Sequence, residues 1–362
     1  MEFPNVSVII VNYNGRPYLE KCLSSILANN YPRSKYEIIL VDNKSNDGSV
    51  EFVENRFTGI NIVRMAKNLG YVGGVNVGEK YAKGEYLVVL NNDISVDENW
   101  LIELVKSLNN DETLEICTSK TLLMNNPSIL DGVGSTNNII GQGWSAEMGR
   151  KDEGQYEEPY EVSHPSGCSF IIRRRVIKKF EYFLDPDFFM WQDDLDLGWR
   201  ARLLGLKVLY SPKSVAFHKG GGSSKVSPFT YYFFYRNMLT TFYQNLADEN
   251  LKKVLFLVLI NVTVSHVYAC IREMNAEYLM NIFRILEYFR KNRKKLSEKR
   301  EKTQKVRKCS DEEIFFLFAP LIIVPKGVKK YGFMPQLFLK LINLYIALVR
   351  IPVAKFKGLY YY

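Results

Sequence analysis

Cysteine is scarce and scattered in this sequence. The 362 residues include five cysteines, and no two of them are spaced as C-x-x-C: Cys22, Cys117, Cys168, Cys270 and Cys309. An odd number without paired spacing predicts neither a disulfide framework nor a zinc site. We therefore expect a protein that works in a reducing environment.

Two common sequence signals are also missing. The opening residues, MEFPNVSVIIVNYNG, have no basic region before their apolar run, so we predict no signal peptide and a cytosolic catalytic part. No G-x-x-x-x-G-K-[ST] loop for phosphate binding occurs. The glycine-rich segment 70–78 follows the third predicted strand, whereas a dinucleotide fingerprint should follow the first, so the dinucleotide interpretation fits poorly.

Acidic residues are few in the C-terminal part of the chain. Residues 1–223 contain 24 Lys and Arg against 29 Asp and Glu, and residues 224–362 contain 24 against 10. The net charge of +9 therefore divides into −5 and +14. The C-terminal part is expected to meet an anionic surface.

Strand and helix patterns alternate along the N-terminal part. Continuous apolar runs predict buried strands, and apolar residues at helical spacing predict helices between them. The predicted strands are Val6–Val11, Glu37–Val41, Ile60–Met65 and Tyr86–Leu90, and the predicted helices are Leu19–Leu27, Val50–Phe57, Tyr71–Tyr81 and Trp100–Leu108. This order indicates an α/β fold with a mostly parallel, Rossmann-like sheet flanked by helices.

Polar residues follow each of the four predicted strands. They are Asn12-Tyr13-Asn14-Gly15, Asp42-Asn43, Lys67-Asn68 and Asn91-Asn92-Asp93. Turn formation alone would explain any one of these segments. Because ligands of parallel sheets bind at the carboxyl ends of the strands, the four together suggest a nucleotide diphosphate held with a divalent metal ion.

Six segments together resemble the GT-A domain of inverting family 2 glycosyltransferases. They are SVIIVNYNG, VDNKSNDGS, KNLGYVGGVNVG, YLVVLNNDI, HPSGCSFIIRR and FFMWQDDLDLGWRARLLG, and VLYSPKSVAFHKGGGSS extends the likeness to about residue 225. The rhamnosyltransferase subgroup is the most similar. The resemblance implies a GT-A domain over residues 1–225, with a nucleotide-sugar-binding half at 1–115 and an acceptor half at 116–225.

The resemblance also implies which residues bind the donor. Asn12 and Asn14 would line the nucleotide pocket, and Asp42 would meet a uracil or thymine base. Asn68 and Asn76 would flank the sugar nucleotide. Asn92 belongs with them as a donor-binding residue of the Asn91-Asn92-Asp93 segment.

Metal and base residues follow from the same resemblance. Asp93 would occupy the last position of the D-x-D-like metal motif, whose first carboxylate is here an asparagine; one carboxylate with diphosphate oxygens suits Mg²⁺ or Mn²⁺. His218 is a further candidate ligand, with simple packing as the alternative. Asp194 aligns with the general base that removes the acceptor proton, and Asp193 is the second candidate.

The C-terminal part, residues 226–362, is expected to be helical, basic and membrane-associated. The run from Val254 to Ile271 lacks charges but contains polar residues, and its length is at the lower limit for a spanning helix. We therefore predict no clear transmembrane helix. The basic stretch 290–308 is most simply a solvated helix or loop, and beside interfacial helices it suits anionic lipid.

These observations predict a metal-dependent inverting glycosyltransferase at the cytoplasmic face of the cell membrane. The donor would be a UDP- or dTDP-sugar, and the acceptor a glycan or a lipid-linked saccharide, with attachment through the C-terminal region. Nucleic acid is not an expected partner, because no RNA- or DNA-binding pattern accompanies the charge. The alternative is a catalytically silent nucleotide-sugar-binding or scaffolding protein at the membrane.

Overall fold

A computed structural model describes residues 3–111, 113–220, 227–324, 333–352, 355 and 357–361 of the chain. It divides into two compact units. Unit 1 comprises Met1–Ser135, Ser145–Ala201 and Leu206–Lys225. Unit 2 comprises Thr136–Trp144, Arg202–Gly205 and Val226–Tyr362.

The N-terminal elements alternate as the sequence predicts. The strands are β1 (Val6–Asn12), β2 (Tyr36–Asp42), β3 (Ile60–Arg64), β4 (Tyr86–Asn91), β5 (Ile94–Val96), β6 (Leu114–Leu123), β7 (Asn126–Gly132), β8 (Ser135–Asn137), β9 (Gly143–Ser145), β10 (Tyr160–Glu161), β11 (Ser169–Arg173) and β12 (Lys207–His218). The helices are α1 (Arg16–Leu27), α2 (Ser49–Arg56), α3 (Gly70–Tyr81), α4 (Trp100–Asn109), α5 (Arg174–Ile177) and α6 (Asp193–Leu203). A short 3₁₀ turn, Arg33–Lys35, precedes β2.

Ten strands form one mixed sheet in unit 1. Its order is β10-β12-β6-β11-β4-β1-β2-β3, with β5 paired to β12 and β7 to β6. Strands β3, β2, β1 and β4 are parallel, whereas β11 lies antiparallel between β4 and β6. The predicted fold class is confirmed: a Rossmann-like sheet flanked by helices, consistent with the GT-A fold.

Strand β1 is buried on both faces, which explains its continuous apolar run. Val8 and Ile10 pack in one core together with residues of α1 and α4. Ile9 and Val11 pack in a second core together with residues of α3. A central strand between two helical layers has no face that water reaches. Its one polar residue before the strand end, Ser7, is buried and donates to Glu37 Oε1 at 2.7 Å.

Unit 2 is mainly helical. Its elements beyond residue 226 are α7 (Pro228–Asn245), α8 (Asp248–Glu273), α9 (Glu277–Lys291), α10 (Arg293–Lys305), α11 (Asp311–Phe315), β13 (Leu321–Val324), α12 (Phe333–Val349) and β14 (Gly358–Tyr361). Strands β13 and β14 form a parallel pair. Helix α7 begins with a capping box in which Ser227 and Thr230 satisfy each other's backbone amides.

The basic stretch 290–308 is partly buried, whereas the sequence predicts a solvated helix or loop. It forms α10, and the Arg300 side chain is buried, donating to the carbonyl oxygens of Tyr243 and Leu246 at 2.6 Å. Gln304 donates to the carbonyl of Gln244 at 2.9 Å. These bonds satisfy carbonyls at the C-terminal end of α7 that the helix itself leaves free.

Helix α8 also differs from the expectation. It extends over 26 residues, and its mean hydropathy of 2.2 makes it long and apolar enough to cross a membrane by length and composition. Burial within the unit covers 39% of that apolar window. The helix is longer than the apolar run Val254–Ile271, and whether it spans a membrane or lies on one stays open.

Candidate active site

The register of the parallel strands brings the predicted polar residues to one edge of the sheet. Asn12 at the end of β1 lies beside Asp42 at the end of β2. On the other side of β1, Val11 is paired with Asn91 at the end of β4. Three of the four polar segments identified in the sequence therefore follow neighbouring strands at the edge where parallel sheets bind ligands.

Asn12 is the centre of a hydrogen-bonded network at this edge. Its side chain is fully buried, and its Nδ2 donates to Ser45 Oγ at 3.1 Å and, more weakly, to Asp42 Oδ1 at 3.4 Å. Its Oδ1 accepts from Asn92 Nδ2 at 2.9 Å. The backbone amide of Ser45 donates to Asp42 Oδ2 at 3.1 Å. Asn12 therefore fixes the positions of Asp42 and Asn92.

Gly15 makes this network sterically possible. A Cβ atom at residue 15 would lie 2.1 Å from Asn92 Nδ2 and 2.6 Å from Asn12 Oδ1. Any larger residue would displace both side chains. The glycine after the first strand thus leaves space for the two asparagines, and its role goes beyond ending a strand.

The other three predicted donor-binding residues make local contacts. Asn14 has a left-handed backbone with φ of 52°, and its Oδ1 accepts from the amide of Asn46 at 2.8 Å. Asn68 Oδ1 accepts from the amide of Gly70 at the start of α3. Asn76 binds the backbone of Leu184 through both ends of its amide, at 2.9 and 3.0 Å. These contacts are structural, and roles of the three in donor binding stay predictions.

Asp93 is brought to His218 by strand pairing. Strands β5 and β12 pair so that Ile94 lies opposite His218. Asp93 Oδ2 is 3.5 Å from His218 Nε2, and Asp131 Oδ2 is 2.9 Å from His218 Nδ1. Burial alone would lower the pKa of His218, but its hydrogen bonds to Asp131 and Asp93 outweigh burial and raise the pKa to about 11.

Asp131 was not anticipated from the sequence. It lies in β7, which reaches the site through its antiparallel pairing with β6, and its side chain is nearly buried. A lone aspartate before a glycine, in the segment LDGVG, resembles an ordinary turn. Its contact with His218 joins residues 87 positions apart in sequence, and such a contact has no short-range sequence signal.

The residues around His218 fit a divalent cation with two protein ligands. Asp93 and His218 Nε2 face each other, while Asp131 holds the second ring nitrogen, as carboxylates do behind metal-bound histidines. Within the described ranges, no group of three or more His, Cys, Asp or Glu side chains is arranged to hold a metal ion. Diphosphate oxygens and water would therefore have to complete the shell, which suits Mg²⁺ or Mn²⁺.

The second carboxylate group begins α6. Asp193 is buried and Asp194 is partly exposed. Burial and then the negative charge of Asp194 raise the pKa of Asp193 to about 8. Asp194 Oδ2 accepts from the amide of Gly167 at 3.2 Å, and its Oδ1 accepts from the amide of Leu195 at 2.8 Å. A proton bound by this pair is therefore favoured on Asp193, and Asp194 is held by two backbone amides.

One turn lies between the two carboxylate groups. The amide of Asn91, two residues before Asp93, donates to the carbonyl of Cys168 at 3.0 Å, and Gly167 binds Asp194. Tyr71 donates to the carbonyl of Gly167 at 2.9 Å. Burial, together with charges that include those of Asp193, Asp194 and Asp93, raises the pKa of Tyr71 well above its ordinary value. Tyr71 therefore stays a hydroxyl donor.

The backbone before α6 is strained. Trp191 and Gln192 have φ angles of 70° and 66°, in the left-handed region that residues with a Cβ rarely adopt. Such conformations cost on the order of 1–3 kcal/mol each and are concentrated at functional sites. They set the direction from which Asp193 and Asp194 enter the first turn of α6. The glycine-rich segment after His218 suits a mobile loop that closes on a donor, but residues 221–226 lie outside the described residues.

Comparisons with known proteins find similarity to glycosyltransferases. Residues 7–180 match the model of Glycosyl transferase family 2. The chain is 35% identical over 101 residues to glycosyltransferase AglE of Haloferax volcanii, covering 27% of this chain and 33% of that protein. It is 24% identical over 221 residues to poly-beta-1,6-N-acetyl-D-glucosamine synthase of Staphylococcus aureus, covering 60% of this chain and 50% of that protein.

A solved structure has the same fold. The crystal structure of GalNAc-T7 with UDP, GalNAc and Mn²⁺ matches with a TM-score of 0.52 and 21% identity, covering 62% of this chain and 45% of that one. The chain spans a third to a half of the length of the two curated relatives. The rhamnosyltransferase likeness is not among these matches. The likeness to Glycosyl transferase family 2 therefore covers residues 7–180, just under half of the chain.

Proposed function

We propose that the protein transfers a sugar from a UDP- or dTDP-sugar to an acceptor hydroxyl, with inversion at the anomeric carbon. The observation that carries this proposal is the Gly167-Cys168 turn, which binds Asp194 on one side and the strand leading to Asp93 on the other. One carboxylate near each end of a single turn suits a reaction with an acceptor side and a leaving-group side.

The donor side consists of the network around Asn12. Asp42 is nearly buried and is held by Asn12 and by the amide of Ser45. A fixed carboxylate at a strand end suits the N–H group of a uracil or thymine base, which donates a hydrogen bond. A carboxylate also accepts from the N–H groups of guanine, so the donor screen below includes a GDP-sugar to test the proposed preference for a pyrimidine nucleotide.

The leaving-group side consists of Asp93, His218 and Asp131. A divalent ion bound by Asp93 and His218 would supply charge neutralisation for the departing diphosphate. Asp131 would act as a positioning residue, because its bond to Nδ1 of His218 leaves Nε2 directed at Asp93. The Mn²⁺ in the related GalNAc-T7 crystal supports a divalent ion.

The acceptor side consists of Asp194. Its carboxylate would accept the proton of the acceptor hydroxyl while the hydroxyl oxygen forms a bond to the anomeric carbon. The bond from that carbon to the diphosphate breaks at the same time on the opposite face, so one displacement inverts the configuration. The amides of Gly167 and Leu195 hold Asp194 in place. Asp193 keeps its proton and adds no second charge.

The acceptor is proposed to be a glycan or a lipid-linked saccharide at the cytoplasmic face of a membrane. The name of the Staphylococcus aureus relative, a polysaccharide synthase, supports a glycan. The excess of 14 positive charges over residues 224–362 supports an anionic surface beside the acceptor.

A donor screen tests the proposal. Thermal unfolding of the full chain would be measured with UDP-, dTDP- and GDP-sugars, with and without Mn²⁺. Binding at one hundred times Kd stabilises the folded state by about 2.7 kcal/mol. We expect a uridine or thymidine donor to raise Tm, and more so with Mn²⁺. No shift with any donor and metal would contradict the proposal.

Binding without transfer would favour the silent binding protein instead. The donor that raises Tm would therefore be incubated with simple glycan acceptors, and the anomeric configuration of any product would be read by NMR. An inverted product supports the single displacement. A product with retained configuration would contradict the role given to Asp194.

A further inference from the structure

Helix α8 exposes an apolar surface along one side. We call it the α8 stripe, and its members are 41–72% exposed: Phe256, Leu259, Val264, Val267 and Ile271. Thr263 lies among them, and its hydroxyl donates to the carbonyl of Leu259 at 2.9 Å, so it needs no water. The stripe covers most of the length of the helix.

Three polar residues of α8 lie on its other side, inside unit 2. Asn261 is buried and donates to the carbonyl of Ile140 at 3.0 Å. Asn250 is buried and donates to Asp311 Oδ2 at 2.9 Å. His266 is buried, with its Nδ1 bonded to the carbonyl of Val262. Helices that face water have the opposite arrangement, with apolar residues inside and polar ones outside.

Helix α12 has a second apolar surface of the same kind. We call it the leucine stripe, and its members are 45–71% exposed: Leu337, Leu341, Leu344 and Leu348. Their spacing of three or four residues places them on one face. Ile342 and Ile346 are buried and lie on the opposite face. This helix is therefore apolar both inside and outside.

The two helices are in contact. The rings of Phe256 in α8 and Tyr345 in α12 lie 5.1 Å apart between centroids. The Tyr345 hydroxyl donates to the carbonyl of Lys253 at 3.3 Å. Phe256 belongs to the α8 stripe, and Tyr345 is the residue after Leu344, so the two stripes are neighbours on the surface of unit 2.

Basic residues stand at the borders of these stripes. Lys252 is exposed one turn before Phe256, Lys340 is exposed between Leu337 and Leu344, and Arg350 is exposed just after α12. Long basic side chains can lay their methylene groups on apolar surface and keep the charge in a headgroup layer. An apolar face bordered by positive charge is complementary to an anionic lipid surface.

The contacts of α8 argue against a spanning position. Crossing the bilayer would place Asn250, Asn261 and His266 at membrane depth together with the parts of unit 2 that they contact. Helix α9, which packs beside α8, exposes Arg284, Glu287 and Arg290. Charged side chains at that depth are costly. A position in the plane of the interface lets one side of α8 meet lipid and leaves the other side unchanged.

We propose that the α8 stripe and the leucine stripe form one face that lies in the plane of an anionic membrane. The face holds unit 2 at the lipid surface without a spanning helix. This proposal deepens the proposed function, because it gives a lipid-linked acceptor a place to meet the protein. Its test uses lipid binding alone, so it succeeds or fails independently of sugar transfer.

Vesicle sedimentation tests the face. The full chain would be mixed with vesicles of phosphatidylcholine alone or with an equal part of phosphatidylglycerol, and the bound fraction measured. We expect binding to the anionic vesicles and release by alkaline carbonate. Leu344→Gln should weaken the partition about tenfold, because one exposed leucine leaves the lipid. Val306→Gln, which removes an apolar side chain outside both stripes, is the matched control.

Four results would overturn the proposal. The first is that the wild-type chain does not bind anionic vesicles. The second is that Leu344→Gln and Leu341→Gln bind these vesicles as well as Val306→Gln does. Resistance to carbonate would show a spanning helix. A dimer in lipid-free solution that the leucine variants convert to monomer would show that the face binds a second copy. An unchanged Tm in each variant verifies that the fold is retained.

Failure of the donor screen with intact vesicle binding would contradict the proposed function and leave the membrane face standing. Intact donor binding without vesicle binding would contradict the membrane face and leave the proposed function standing. The two proposals are therefore separated by experiments on the same preparation.

Discussion

Unit 1 contains two pairs of neighbouring carboxylates, and the repulsion between their negative charges is reduced in a different way in each pair. Asp93 and Asp131 have His218 between them, within 3.5 and 2.9 Å. Asp193 and Asp194 lie next to each other at the start of α6, and burial with the neighbouring charge raises the pKa of Asp193 to about 8. Without a metal ion, protonated His218 balances the charge of the first group, and a bound divalent ion would replace the proton on its Nε2; the second group favours a proton on Asp193.

This difference indicates which group suits which chemical task. A pair of carboxylates facing a histidine nitrogen offers ligands to a divalent cation. A pair that shares one negative charge, with Asp194 held by two backbone amides, offers a single acceptor for a proton. We therefore propose that the first group binds the cation and that the second supplies the base.

The largest expected effect comes from Asp194→Asn. Loss of a general base lowers transfer about 10²–10⁴-fold, while the donor and Mn²⁺ should bind as in the wild type. Transfer would be measured by release of the nucleoside diphosphate. Glu158→Gln, an exposed carboxylate of unit 1, is the control. Transfer at the wild-type rate in Asp194→Asn would remove the base assignment.

A smaller effect is expected from Asp131→Asn. Loss of the carboxylate behind a metal-bound histidine costs about 10–100-fold in metal affinity. Mn²⁺ binding in the presence of UDP would be followed by electron paramagnetic resonance, which does not depend on turnover. The assignment of Asp131 as a positioning residue fails if its variant binds Mn²⁺ as tightly as Glu158→Gln does.

Gly15→Ala should weaken donor binding more modestly. The added methyl group would displace Asn92 and Asn12 from their bond. One lost hydrogen bond corresponds to about a 3–10-fold rise in Kd. Calorimetry with the donor found by the screen measures this change. An unchanged Kd would show that the network does not position the donor.

The last prediction concerns stability and not binding or transfer: it is the change of Tm with pH in Asp193→Asn. The folded-state pKa of Asp193 is raised from 3.8 to about 8, so this residue destabilises the wild-type fold increasingly as the pH rises from about 4 to 8. Asparagine cannot ionise. The Tm of the variant relative to the wild type should therefore increase between pH 5 and pH 8. A constant difference would contradict the raised pKa.

Much of unit 1 could be predicted from the sequence because its signals are local. A continuous apolar run such as Val6–Val11 has few interpretations other than a strand buried on both faces, and the polar residues after it must lie at the strand end. Asn12, Asp42 and Asp93 were found in this way. Asp131 was not, since its place depends on the pairing of β7 with β6.

Other residues were harder because side-chain partners are set by tertiary packing. Asn76 lies on α3, and its bonds to Leu184 join residues 108 positions apart in sequence. The basic stretch gave no sign that Arg300 would be buried against the end of α7. The pattern in α8 did not separate a spanning helix from one with a polar buried side, because both have the same composition.

The most direct test of the division between the two carboxylate groups is Mn²⁺ binding in the presence of UDP, measured by electron paramagnetic resonance on two variants. Asp93→Asn should lose binding, and Asp194→Asn should bind as the wild type does. Loss of Mn²⁺ binding in Asp194→Asn with retention in Asp93→Asn would contradict the account.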